Sequence, residues 1–206
     1  IKNNISNKYL TKINGTSGIS VAISNDGGNY SAIVISGANL QIPENIFNND
    51  NLWNNCSFLM IQNEIKEEIN IIAAIEAKKR NISVFLNAAP AKKINKNLFD
   101  FVDILLVNEI ESQQLLQKSN SDFKKQAREL SIYVSKIIIT LGDNGVVYCE
   151  KNKEPNHVKA YSVNIKNAHG AGDYFAGKFI SNFIKTNNFE DSIKIANKKT
   201  SEFISS

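Results

Sequence analysis

The 206-residue sequence is poor in the residues that crosslinks and metal sites need. Its two cysteines, Cys56 and Cys149, lie far apart and form no Cys-x-x-Cys pair. They read as buried free thiols in a reducing compartment, not as a disulfide or a metal pair. With only two histidines, His157 and His169, a histidine-based zinc site is not expected. No apolar run approaches membrane-spanning length and the N-terminus shows no signal-peptide pattern, so the expectation is a cytoplasmic protein with no membrane partner. Charge of one sign is not concentrated either. The net charge is +4 and the pI about 8.9, but the lysines are scattered. The one dense run, Lys78-Lys79-Arg80, falls at a predicted helix end, where cations suit the dipole. Nucleic acid is therefore not an expected partner. No internal repeat is evident.

What the chain does have is 42% hydrophobic residues, enough for the core of one domain. Residues 1–14 are polar and aperiodic and read as a frayed lead-in. Ser17 to Ser24 and Tyr30 to Ser36 read as two strands around Asn25-Asp26-Gly27-Gly28, a hairpin turn sequence. Residues 40–56 read as loop and short helix with Trp53 as a packing anchor. From Ser57 onward, strand and helix alternate. Ser57–Ile61, Ile82–Leu86, Asp103–Val107, Lys136–Thr140 and Val146–Cys149 are short apolar runs. Between them the helical stretches are Glu64 to Arg80, a short helix after Val107, and a helix capped by Ser121 with Phe123, Ala127, Leu130 and Val134 on one side. Residues 150–160 read as a polar loop. Two helices close the chain, with stripes at Phe175, Phe179, Ile180, Phe183, Ile184 and at Phe189, Ile193, Ala196, Phe203. Short, solidly apolar strands alternating with helices predict an α/β fold: a central, mostly parallel sheet with helices on both faces. The hairpin breaks the alternation and is expected to project as a lid or small second sheet.

Polar residues gather just past the predicted strand ends: Asn87, Asn108 with Glu111, and Thr140 with Gly142. In an open α/β sheet that edge binds ligands. The stretch Asn167-Ala168-His169-Gly170-Ala171-Gly172-Asp173-Tyr174-Phe175 could reach the same edge. Its small residues let an anion approach the backbone. Free N–H groups and the dipole of the following helix would favour that anion, with Asp173 beside it in the first turn.

These segments resemble the ribokinase-like sugar kinases of the PfkB family. Gly170 to Phe175 match the family signature Asp-Thr-x-Gly-Ala-Gly-Asp-x-Phe. Asn87-Ala88-Ala89-Pro90-Ala91, Val107-Asn108-Glu109-Ile110-Glu111 and Thr140-Leu141-Gly142-Asp143-Asn144-Gly145-Val146 resemble three further segments, in family order. The resemblance spans nearly the whole chain and implies one domain over residues 1–206, with 12–36 forming part of a β lid. It implies transfer of the γ-phosphate of ATP to a hydroxyl of a small sugar, ribose above others, with Mg²⁺ on the phosphates. Asp173 would be the base that takes the hydroxyl proton. The amides of Gly170, Ala171 and Gly172 would form the anion hole. Asn108 and Glu111 would organise Mg²⁺ and phosphates, Thr140, Gly142 and Gly145 would border the nucleotide, and Asn197 would flank the adenine. Glu64 falls where ribokinases place a sugar-binding glutamate. Lids of this family pair between subunits, which implies a homodimer.

Three departures modify the expectation. The family's N-terminal Gly-Gly sugar clamp has no counterpart here, so the chain reads as lacking the N-terminal part of the fold. It also stops at Ser206, before a family turn near the adenine. Asn167 and Ala168 stand where the signature has Asp and Thr, and a neutral amide counts against potassium activation. The alternatives are a non-catalytic nucleotide-binding relative, or a PfkB-type kinase of a nucleoside, fructose or another sugar.

Overall fold

The computed structural model describes residues 6–24, 30–90, 92, 95–118 and 122–206. The expected turn at Asn25–Gly28, Ala91, Ser121 and the first five residues lie outside these. In the rest of the polar lead-in, the Tyr9 hydroxyl donates to the Asn51 carbonyl.

Strands β1 (Ile19–Ser24) and β2 (Tyr30–Ile35) pair antiparallel as a separate two-stranded sheet. The register sets Ile19 opposite Ile35 and Val21 opposite Ile33, and all four side chains are exposed. A short helix α1 (Asp50–Trp53) follows, and Trp53 is the anchor the sequence suggests. Its ring is buried, its indole N–H donates to the Phe47 carbonyl at 2.9 Å, and the Arg80 guanidinium lies over it at 5.4 Å.

The main sheet has six strands: β3 (Phe58–Gln62), β4 (Ser83–Asn87), β5 (Ile104–Asn108), β6 (Lys136–Thr140), β7 (Val146–Glu150) and β8 (Asn156–Val158). Their spatial order is their chain order. β3 to β6 run parallel, and β7 and β8 are antiparallel additions at the edge. Because the order never reverses, right-handed crossovers put every connecting helix on one face. These helices are α2 (Glu67–Lys79), α3 (Lys96–Phe99), α4 (Glu109–Leu116) and α5 (Phe123–Leu130). Ala74, Ala77, Leu98, Ala127 and Leu130 pack there against Ile61, Val84, Leu86, Leu105, Val107, Ile137 and Ile139. The alternate residues of the same strands, Phe85, Ile104, Leu106 and Ile138, point the other way. That face is covered by α6 (Ala171–Thr186) and α7 (Phe189–Ser205), through Phe175, Phe179, Phe183, Phe189 and Ile193. Phe179 is fully buried, stacked on Phe85 at 5.7 Å and on Phe183 at 5.5 Å.

The structure departs from the sequence reading in five places. Residues 150–160 are not all loop, since Asn156–Val158 form β8. Cys149 is buried as expected, but Cys56 is exposed at the end of the α1 turn, its thiol directed at the Leu52 carbonyl. Asp122, and not Ser121, caps α5, accepting from the Lys125 amide. The helix expected from Glu64 starts at Glu67, which leaves Glu64 in a turn. Phe203 and Ile184 lie on exposed flanks of their helices instead of in the core. Among the described residues no helix is long and apolar enough to cross a membrane.

Candidate active site

The parallel register lines up the strand ends. Gln62 pairs with Asn87, and Asn108 pairs with Thr140, each at the last position of its strand. Gln62, Asn87 and Thr140 share a strand face with Phe58, Phe85 and Ile138, the face that α6 covers. The apolar row under α6 therefore continues into a polar row where α6 begins.

The start of α6, like that of α2 behind Lys66, has no side-chain cap, unlike those of other helices of the chain. Asn108, Asp122 and Asn188 cap α4, α5 and α7 with their side chains. The N-cap of α6 is Gly170, in the left-handed conformation at φ 77°, and it offers no side chain to the helix. The first amides of a helix lack intrahelical acceptors, so an uncapped start leaves donors for a ligand. Of the three amides expected to form the anion hole, Ala171's instead donates to the Ala168 carbonyl at 3.1 Å. The amides of Gly172 and Asp173 have no backbone acceptor among the described residues, and intrahelical bonding resumes with Tyr174 to Gly170 at 2.9 Å. The loop leading in is held at several points. Asn167 Oδ1 accepts the His169 amide at 2.8 Å, and the amides of Lys166 and Asn167 donate to the Ile204 carbonyl. Tyr174 stacks on Phe203 at 4.3 Å. Asp173 is exposed, and Gln62 Nε2 donates to its Oδ1 at 3.1 Å.

Beside this helix start lies a cavity of about 550 Å³. Thr140, Gly142 and Gly145 line one side, Asn197, Thr200 and Ser201 of α7 the other, and Ala171 and Gly172 also border it. Gly145 has φ 87°, and a Cβ there would stand 2.1 Å from the Val158 carbonyl oxygen and 2.6 Å from the Ala160 amide. Only glycine lets the β6–β7 turn approach the end of β8 so closely. Asn197 Nδ2 donates to the Lys159 carbonyl at 2.8 Å, tying α7 to the segment after β8. Thr140, Gly142, Gly145 and Asn197, scattered along the sequence, thus border one cavity. Glu64 sits apart, half-buried in the β3–α2 turn. Lys92 Nζ donates to the carbonyls of Asn63 and Ile65 on either side of it, at 2.8 and 3.3 Å, and Asn63 Nδ2 donates to those of Ala88 and Pro90. The Asn87–Pro90 segment and the Glu64 turn are one knitted loop pair.

Asn108 and Glu111 form a reciprocal capping box: Asn108 Oδ1 accepts the Glu111 amide at 2.8 Å, and Glu111 Oε2 accepts the Asn108 amide at 2.7 Å. Glu111 is buried, and burial pushes its carboxyl above the ordinary value of 4.5, with the Asn108 amide pulling less strongly the other way. The native state therefore holds this proton more tightly than the unfolded chain. Stability from this group is full below the ordinary carboxylate range and is lost as pH rises through the raised native value. Glu111→Gln keeps an acceptor for the Asn108 amide and removes the buried charge. The variant is expected to melt higher than the parent at pH 7, and the gap to close as pH falls toward 4.5, as followed by thermal unfolding across pH. Among the described residues no group of three or more His, Cys, Asp or Glu side chains is placed to hold a metal.

Sequence reasoning missed Gln62. Its only signal is a polar residue closing an apolar run, next to the loop that carries Glu64.

This chain belongs to the pfkB family of carbohydrate kinases, whose profile matches residues 1–205. It is 33% identical over 183 residues to a ribokinase of Staphylococcus aureus, a match covering 86% of this chain and 60% of that protein. It is 30% identical over 200 residues to a deoxyribokinase of Salmonella typhi, covering 93% and 65%. The crystal structure of a ribokinase from Thermotoga maritima superposes with a TM-score of 0.77 at 27% identity, covering 94% of this chain and 65% of that one. The chain thus spans less than two thirds of the length of these relatives.

Proposed function

We propose that this chain carries the phosphoryl-transfer site of an ATP-dependent kinase of small sugars, with ribose as the acceptor. The observation that carries the reading is a carboxylate, Asp173, at an uncapped helix start that opens onto a cavity walled by Thr140, Gly142, Gly145 and Asn197. Asp173 takes the proton of the sugar hydroxyl as that oxygen attacks the γ-phosphorus. The bond from phosphorus to the β,γ-bridging oxygen breaks, and ADP leaves with the electron pair. The amides of Gly172 and Asp173 donate to the oxygens of the transferring group, where charge is greatest. The base of the nucleotide lies toward Asn197. A divalent metal bound with the nucleotide would neutralise further phosphate charge. Glu111 and Asn108, at the end of β5, would be the residues to organise it, and a buried carboxylate kept at some cost in stability fits such a role. Glu64 and Asn87, on the knitted loop pair, contact the sugar.

Ribose is favoured by the ribokinases among the relatives, and the deoxyribokinases keep 2-deoxyribose as the nearest competitor. The exposed apolar face of β1 and β2 supports self-association through the lid. The reading is tested by coupled ADP release from the full-length protein with ATP, Mg²⁺ and a panel of pentoses, hexoses and nucleosides. Ribose-dependent release is expected. ATP binding with no acceptor-dependent release would overturn the kinase reading in favour of a nucleotide-binding module.

A further inference from the structure

We propose that Gln62 is the positioning residue of the base: its side-chain amide holds one oxygen of Asp173 and leaves the other for the acceptor hydroxyl. This rests on the assignment of Asp173 as the base. The two residues are 111 positions apart in the chain and meet at 3.1 Å because β3 ends under the start of α6. An exposed carboxylate on a first helical turn otherwise rotates freely about χ1 and χ2, and a general base works only when its lone pair is aimed at the proton it takes.

Gln62 is itself fixed. Its carbonyl accepts from Asn70 Nδ2 at 2.8 Å, on the buried face of α2. The residue after it is locked to the neighbouring loop by the Asn63 amide, which donates to the Ala89 carbonyl at 2.9 Å, and by the Asn63 side chain on Ala88 and Pro90. The donor is thus presented from the rigid sheet, and the acceptor from the helix. An amide in this place also suits the chemistry. It carries no charge to neutralise the base, as lysine or arginine would, yet it donates a hydrogen bond that fixes one carboxylate oxygen.

The test uses the full-length protein with Gln62→Leu, which keeps the shape and loses the donor, and Gln62→Glu, which sets a second carboxylate against the first. Gln62→Leu is expected to lower kcat about 10- to 100-fold with little change in KM for nucleotide or sugar. Gln62→Glu, which offers no donor and adds a like charge, is expected to lower kcat further. A purely structural part in β3 would lower the melting temperature and leave kcat in place; that result overturns the proposal. A readout without turnover keeps it falsifiable if either variant folds poorly. The side-chain amide resonance of Gln62 in the ligand-free protein must shift in Asp173→Ala, and an unmoved resonance sinks the contact. Absence of sugar-dependent turnover in the parent would instead fell the kinase reading, while the resonance still decides the Gln62 contact.

Discussion

Asp173→Asn is expected to reduce sugar-dependent ADP release by about 10²- to 10⁴-fold, the range a positioned general base supplies, while nucleotide affinity stays near that of the parent. The asparagine keeps the shape, and its Oδ1 still accepts from Gln62. It cannot take a proton from an attacking hydroxyl. The donors proposed for the phosphates are backbone amides of Gly172 and of residue 173 itself, which the substitution leaves in place. Binding and chemistry should therefore separate in one variant, read by isothermal titration with a non-hydrolysable ATP analogue and by the coupled assay. Retained turnover would show that the base lies elsewhere. A lost affinity for nucleotide would show that the carboxylate serves the fold of the loop.

The second large effect is on stability. Gly145→Ala forces a Cβ to within 2.1 Å of the Val158 carbonyl and asks an alanine to hold φ 87°. A left-handed non-glycine residue costs about 1–3 kcal/mol, and overpacking a close contact about as much again. Together they predict a loss of about 2–6 kcal/mol in denaturant unfolding, a large part of the stability of a domain this size. The most direct escape is for the β6–β7 turn to lift away from β8. That would release the His157 ring contact to the Asn144 carbonyl, at 2.6 Å, and disturb the segment that Asn197 holds through Lys159. The variant should thus lose nucleotide affinity along with stability, although residue 145 offers a ligand no functional group. A near-normal midpoint would mean that the turn and β8 are not so closely apposed.

Much of this architecture is legible in the amino-acid sequence. β3 to β7 announce themselves as short apolar runs, because strands that are largely buried tolerate few polar positions. The capping box of Asn108 and Glu111 is visible as a spacing, and the glycine-rich start of α6 as a motif. What stays hidden depends on partners far along the chain. β8 has one apolar residue, Val158, and is a strand only because β7 offers it an edge. The start of α2 slips to Glu67 because residues 63–65 are drawn into contacts with Ala88, Pro90 and Lys92. Ser121 and Asp122 are equally good caps on paper, and the three-residue step from Asp122 to the Lys125 amide decides between them. Gln62 cannot be singled out from the sequence, since its meaning lies in a carboxylate on another element.

The agreement of strand order with chain order has a consequence for how the molecule is made. A sheet that adds each strand beside the last can assemble progressively as the polypeptide emerges, with each crossover helix arriving in time to shield one side. The opposite side has no such escort. Phe85, Ile104, Leu106 and Ile138 stay bare until residues 171–205 have been synthesised and the helical hairpin docks. A nascent chain folded only as far as β8 would therefore be sticky on one flank. The same docking step that covers it brings Asp173 to Gln62.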